Sequence, residues 1–362
     1  MSFLNVQNLH LNYHPKEVSG PCCALKDVSF KVGKGDFVCL LGPNGSGKTS
    51  LLRSIAGFEQ PHRGTVTIAD SVMHSPTTSL PAHRRGVGMV FQNLALFPHL
   101  TVRGNIAFGL SGLSSKKRQK RCDEMLDLCG LSHVGDHYCF ELSGGLQQRV
   151  AIGRALAPVP HILLLDEPFS CLDPAITHDL VQEIRQLLTQ LDITTIMVSH
   201  NQAQAFEIAD HIGVMLNGEM RQFDKSSMVY QTPQDYEVAA FVGRRSFLRC
   251  FPSKGGVMSP FGQIPKSHMH APRITPQTSH LTLAVRADAI EWVGEDPSNT
   301  SLSFQVVSKT FQGYYTAVKA KISTGEILEF WVSPEDSPRL DRGKIRLKNT
   351  THCVYEKPSC AS

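Results

Sequence analysis

No run of apolar residues in this 362-residue sequence approaches the roughly 20 needed to cross a bilayer as a helix. The longest, Phe37–Leu41 and Ile162–Leu165, have the length of buried strands. Charge is also sparse. Charged residues make up 19% of the chain and the net charge is +4. That excludes a disordered polyelectrolyte and calls for no nucleic-acid partner. The start, Met1–Asn5, lacks a basic region followed by an apolar one, so no secretory signal is expected. The ten cysteines then read as reduced thiols, not as a disulfide framework. There is no Cys-x-x-Cys pair or histidine cluster, and no structural zinc is expected. Solenoid repeats and sustained heptads are missing too. The one dense basic run, Lys116–Arg121, leads into Met125, Leu126 and Leu128 and reads as the solvated face of an amphipathic helix.

What is present is enough apolar material, 41% of residues, for two or three domains. The first 240 residues alternate short apolar strands (Phe37–Leu41, Val87–Phe91, Ile162–Leu165, Thr195–Ser199) with helical stretches (Thr49–Ala56, Ile176–Gln190, Gln202–Asp210). Such alternation predicts a mostly parallel sheet covered by helices. Residues from about 93 to 157 interrupt it with two helical patterns, Lys116–Cys129 and Leu146–Leu156, and read as a helical subdomain inserted between core strands. The fold class expected is therefore α/β for residues 1–243, followed by a small all-β domain over 244–362. Its strands are expected at Leu281–Arg286, Ser303–Lys309, Thr316–Ile322, Ile327–Val332 and Lys344–Lys348. Pro252–Pro276, rich in Gly, Pro, Ser and His, reads as a loop or linker.

Three motifs carry chemistry. Gly42-Pro43-Asn44-Gly45-Ser46-Gly47-Lys48-Thr49 matches G-x-x-x-x-G-K-[ST] between an apolar strand and the helical stretch that opens at Ser50. Glycines let backbone N–H groups turn inward onto phosphate oxygens, and the helix start favours negative charge. Lys48 is expected on the β- and γ-phosphates, and the Thr49 hydroxyl on Mg²⁺. His161–Pro168 is an apolar strand ending in two acids. Asp166 is suited to the Mg²⁺ shell and Glu167 to polarising water as a general base. Leu142-Ser143-Gly144-Gly145-Leu146-Gln147-Gln148-Arg149 opens a helix, with Ser143 as its expected N-cap.

In their chain order of phosphate loop, Leu142-Ser143-Gly144-Gly145 and acidic strand, the motifs resemble the ATP-binding cassette (ABC) family. The resemblance implies a head-to-tail dimer of two copies, each ATP lying between the phosphate loop of one chain and Ser143, Gly144 and Gly145 of the other. It further implies that Gln92 senses Mg²⁺ and the attacking water, that His200 contacts the γ-phosphate, and that Ser170–Asp173 crosses to the opposite subunit. Tyr13 is the candidate for stacking on adenine. The sequence departs from the family at Leu146, Cys171, Asn201 and Gln204, none of which removes a proton-transfer or metal-binding group.

The stretches Arg85–Gln92, Ala95–Val102, Asn105–Leu110 and Val238–Gly243 are similar to bacterial importer ATPases, and Val285–Ile290 resembles the opening of their OB-like accessory domain. The subgroup resembled is that of the ferric-iron, sulfate, molybdate, polyamine and sugar importers, with ferric iron as the first expectation. The resemblance implies two membrane permease subunits and an external solute-binding protein as partners. It also implies a peripheral position on the cytoplasmic face of the bacterial inner membrane. A soluble ABC ATPase acting on nucleic acid is the distant alternative, disfavoured by the single phosphate loop.

Overall fold

The computed structural model describes residues 2–13, 22–170, 174–271, 281–294, 301–337 and 340–356. Contacts divide the chain into two compact units, Met1–Ser226 and Ser227–Ser362.

The first unit holds eleven strands among its described residues: β1 (Leu4–Tyr13), β2 (Cys22–Val32), β3 (Phe37–Leu41), β4 (Arg63–Ile68), β5 (Ser71–Ser75), β6 (Thr78–Ser79), β7 (Val87–Val90), β8 (Ile162–Asp166), β9 (Thr194–Val198), β10 (His211–Leu216) and β11 (Glu219–Lys225). Its helices are α1 (Lys48–Ala56), α2 (Val102–Phe108), α3 (Ser115–Leu128), α4 (Gly144–Leu156), α5 (Pro174–Gln190) and α6 (Gln202–Ile208). One sheet has the order β11-β10-β3-β9-β8-β7, parallel except at the edge pair β10–β11. Every residue of β3, β8 and β9 is buried, which is why these strands read as continuous apolar runs.

A second sheet, β2-β1-β4-β5-β6, is antiparallel. The alternation of strands and helices does not predict it. Its strands mix buried with exposed positions, as in β4, where only Val66 and Ile68 are buried among six residues. A half-wet strand of that kind leaves no apolar run to find.

Between β7 and β8 the chain forms α2, α3 and α4. Thr101 caps α2, its side chain accepting from the Gly104 N–H. Lys116, Lys117, Arg118 and Lys120 on α3 are exposed while Cys122, Met125 and Leu126 are buried, a solvated face over an apolar stripe.

The second unit opens with α7 (Ser226–Gln231) at the boundary and α8 (Tyr236–Phe241). Its strands are β12 (Arg245–Ser253), β13 (Gly256–Ser259), β14 (Gly262–Pro265), β15 (Met269–His270), β16 (Leu281–Arg286), β17 (Ile290–Gly294), β18 (Leu302–Phe311), β19 (Thr316–Ile322), β20 (Ile327–Val332), β21 (Arg342–Leu347) and β22 (His352–Glu356). They make two sheets, β14-β13-β12-β16-β22-β15 and β17-β21-β18-β19-β20, antiparallel except at β15–β22. Leu248, Leu283, Val318, Phe330 and Ile345 lie in their common, fully buried core. This is the β-rich, OB-like architecture expected.

One expectation is corrected. Part of Pro252–Pro276 is not a linker: β13 and β14 form an antiparallel hairpin there, Gly256 opposite Pro265 and Ser259 opposite Gly262. A Cβ on Gly256 would run into the Ile264 carbonyl, and Gly262 turns at φ +92°. The glycines there serve a tight strand pair instead of a flexible connection. Residues 272–276 lie outside the described residues.

Candidate functional site

The phosphate loop leaves the buried end of β3 and curls into α1. Gly47, the N-cap of α1, has φ +97°, and a Cβ there would strike the Ala24 carbonyl. A Cβ on Gly42 would strike the Met215 carbonyl. Ser46 is buried, whereas Asn44 and Gly45 are exposed at the tip. The Lys48 ammonium turns back inside the curl and donates to the carbonyls of Gly42 at 2.8 Å and Pro43 at 3.0 Å. Burial lowers the Lys48 pKa, partly offset by the nearby Glu167 and Asp166 carboxylates. The ammonium is thus poorly solvated, held by two backbone carbonyls with two carboxylates nearby.

Three adjacent parallel strands deliver the remaining groups at their C-terminal ends, where open α/β sheets present their sites. Strand β8 ends in Asp166 and is followed by Glu167; its neighbours β7 and β9 lead to Gln92 and His200. The Thr49 hydroxyl donates to Asp166 Oδ1 at 2.9 Å. Asp166 is 5% exposed, and burial raises its pKa against the opposing effect of the Thr49 hydrogen bond. Gln92 Nε2 donates to Glu167 Oε2 at 3.1 Å, and His200 Nδ1 lies 3.4 Å from the same oxygen. Glu167 itself sits at φ +46°, outside the usual backbone regions for a side-chain-bearing residue. Its N–H donates to Val198 O, and its carbonyl accepts from the N–H and hydroxyl of Ser170. Backbone bonds on both sides therefore hold the strained turn that aims the carboxylate between Gln92 and His200. A cavity of about 360 Å³ opens there, lined among others by Glu167, Ser170, His178, His200 and Glu207.

Tyr13 ends β1 opposite Cys22, and its hydroxyl donates to Ser50 Oγ at 3.2 Å, tying it to the first turn of α1. Ser143 takes the N-cap position of α4 with extended backbone, but its hydroxyl makes no capping bond. Ser143 and Gly144 are exposed, and none of the hydrogen bonds among the described residues joins Ser143, Gly144 or Gly145 to the phosphate loop. Gln147 braces this turn from behind, donating to the carbonyls of Cys139 and Leu142. Of the segment Ser170–Asp173, residues 171–173 lie outside the described residues. Two departures find structural uses. Asn201 caps α6 through the Gln204 N–H, and Gln204 accepts from the Ser199 hydroxyl.

Sequence reasoning missed the side chains that fix the loop after Gln92. Arg154 donates to the carbonyls of Leu94 at 2.7 Å and Ala95 at 2.6 Å. Buried Asn105 accepts from the Phe97 N–H and donates to the Phe97 and Leu100 carbonyls. Asn105 left one signal, a polar residue on the inward face of α2 beside Val102 and Ile106.

Together, fold and site define a phosphate-loop nucleotide hydrolase with paired strand-tip carboxylates. Comparison with known proteins narrows the class. The sequence profile of the ABC transporter family matches residues 25–170. The Fe(3+) ions import ATP-binding protein FbpC of Mesorhizobium japonicum is 42% identical over 73% of this chain and 72% of its own length. The putative 2-aminoethylphosphonate import ATP-binding protein PhnT of Salmonella typhimurium is 34% identical over 92% of this chain and 93% of its own. A bacterial ABC transporter cassette solved as a dimer superposes with a TM-score of 0.55 at 31% identity, covering 62% of this chain and 98% of that one. The chain belongs to the ABC family of transporter ATPases. It binds ATP and is the ATP-hydrolysing motor subunit of an import system.

Proposed function

We propose that this motor drives uptake of ferric iron, working as a head-to-tail dimer with two membrane permease subunits and an external solute-binding protein. The observation that carries the chemistry is the convergence of Gln92 and His200 on one oxygen of Glu167, beside the Thr49–Asp166 pair. In this reading Ser46, Gly47, Lys48, Thr49 and Ser50 wrap the phosphates together with Gly42, Asn44 and Gly45. The exposed Ser143–Gly145 turn completes the site of a second copy, which agrees with its separation from this chain's own loop. Glu167 takes a proton from water as the water oxygen attacks the γ-phosphorus and the bond to the bridging oxygen of ADP breaks.

Mg²⁺ suits the oxygen donors present. Asp166 is a buried carboxylate that accepts from the Thr49 hydroxyl, and the adjacent Glu167 accepts from the Gln92 amide. Thr49, Asp166 and Gln92 would hold the ion, which would supply positive charge against the phosphates. Among the described residues no helix is long and apolar enough to cross a membrane. A peripheral position at the cytoplasmic face of the inner membrane, held by the permeases, fits that reading. Ferric iron rests on the 42% identity to the iron-import relative, while 2-aminoethylphosphonate is the second cargo because that relative aligns over almost the whole chain.

Glu167→Gln tests the motor. The variant should bind ATP within about threefold of the parent, lose at least about 10²-fold in turnover, and accumulate as an ATP-bound dimer on gel filtration. Unchanged turnover removes Glu167 from the role of base. Cargo is tested in liposomes holding the motor and its permeases: iron-loaded binding protein should stimulate hydrolysis. Stimulation by the 2-aminoethylphosphonate-loaded counterpart alone transfers the assignment.

A further inference from the structure

Arg85 is the largest fully buried side chain among the described residues, 1% exposed. Its Nε donates to Leu80 O at 2.8 Å, its Nη1 to Ser54 O at 2.8 Å and Ile55 O at 3.0 Å, and its Nη2 to Ser79 Oγ at 3.4 Å. All four acceptors are neutral, and among the described residues no carboxylate pairs with it. Burying a guanidinium without a counter-charge is expensive. The acceptors explain how it is tolerated. Ser54 and Ile55 stand in the last turn of α1, where carbonyls lack helical partners and the helix dipole is negative. The fit also needs Gly57, because a Cβ there would come within 2.5 Å of Arg85 Nε.

The other two acceptors belong to the antiparallel sheet. Ser79 is in β6, and Leu80 donates its N–H to Met73 O of β5. That sheet also contains β1, which ends at Tyr13. So the sheet and α1 are joined twice: by Tyr13 to Ser50 at the end near the phosphate loop, and by Arg85 at the far end. The two clamps stand roughly 7 Å apart along the helix, taking 1.5 Å per residue from Ser50 to Ile55. Leu51, Leu52 and Ile55 pack against β1, β2 and β4 in one apolar core, which holds sheet and helix together without direction, and the two polar clamps fix the angle between them.

We infer that Arg85 is a positioning residue for the adenine nucleotide: it locks the sheet that carries Tyr13 to the helix that carries the phosphate loop, and so sets the spacing between base and phosphate subsites. The inference rests on the reading of Tyr13 as the base platform.

The experiment compares affinity for ATP with affinity for inorganic triphosphate, by titration calorimetry, in the full-length parent, Tyr13→Ala, Arg85→Gln and Arg85→Lys. Tyr13→Ala calibrates the base contact and should weaken ATP about tenfold while leaving triphosphate within about twofold. Arg85→Gln should reproduce part of that split, about fivefold on ATP alone. Arg85→Lys, which keeps the charge and reaches some of the carbonyls, should recover most of it. Equal loss of both ligands, or a fall in thermal midpoint with an unchanged ATP-to-triphosphate ratio, reduces Arg85 to a packing role and overturns the inference. If Tyr13→Ala leaves the ratio unchanged, the base platform is elsewhere and that reading fails first; a split in Arg85→Gln alone would then still support positioning, through another base contact. Should Arg85→Gln fail to fold, Gly57→Ala decides, since its Cβ would come within 2.5 Å of Arg85 Nε and disturb the clamp without removing the charge: the parent's ratio there goes against the inference and a reduced one supports it.

Discussion

Asp166 and Lys48 are charged groups buried at the same site, and burial moves them in opposite directions, the acid up and the amine down. For Asp166 the sign follows directly. The folded protein binds the carboxyl proton more tightly than the unfolded chain does. Above both values the ionised carboxylate therefore burdens the fold, and below the ordinary carboxylate range the burden disappears. Asp166→Asn keeps an acceptor for the Thr49 hydroxyl and removes the charge. Without nucleotide its thermal midpoint at neutral pH should exceed the parent's by a few degrees. That gain should shrink towards zero as pH falls to about 3.5. With ATP and Mg²⁺ added, the order should reverse. A nucleotide-free variant less stable than the parent at neutral pH refutes burial as the dominant influence on this group. Glu167 shows a second way in which stability is given up locally, through its backbone at φ +46°.

At the scale of elements, glycines of the phosphate loop are not equivalent. Gly45 has φ +79° and open space where a Cβ would stand, whereas Gly47 has φ +97° and the Ala24 carbonyl in the way. Gly45→Ala should therefore cost only the left-handed backbone penalty, about 1–2 kcal/mol. Gly47→Ala should also displace the start of α1 and reduce ATP affinity by more than about tenfold, measurable with a fluorescent nucleotide. Equal effects of the two substitutions would falsify the steric account. The same contrast explains what the sequence could reveal. The strands β3, β8 and β9 were legible because both faces are buried, so their residues are apolar apart from Asp166, Thr194 and Thr195 at strand ends. The motifs at Gly42–Thr49 and Asp166–Glu167 were legible because their chemistry is local in the chain. The antiparallel sheet was hidden by partly exposed strands, and the hairpin of β13 and β14 by glycines that usually mark loops. Arg85, Asn105 and Arg154 escaped because their partners lie as far as 31, 34 and 60 residues away. For the two arginines, nothing in the local composition distinguishes a buried clamp from a surface charge.

For the whole molecule, where one unit ends decides how the chain can be cut. A change in composition after Gly243 suggests a boundary there, yet the compact units divide at Ser226. Helices α7 and α8 belong with the β-rich unit by their bonds. The Tyr355 hydroxyl donates to Pro233 O at 2.8 Å, and Cys353 Sγ to Gln231 O at 3.4 Å. Ala239, Ala284, Cys353 and Tyr355 form a small buried cluster, with Tyr236 and Phe247 packed against it. A chain stopped after Gly243 keeps Tyr236 and Ala239 but loses Ala284, Cys353 and Tyr355, leaving apolar side chains uncovered. A chain stopped after Ser226 removes the cluster whole. The shorter protein should accordingly be the better behaved: monodisperse on gel filtration, with the higher thermal midpoint, and still able to bind ATP through the loop at Gly42–Thr49. Stopping at Gly243 should give aggregation at micromolar concentration. If instead the chain ending at Gly243 is the stable one, α7 and α8 complete the cassette and the compact unit extends to the boundary that composition suggests.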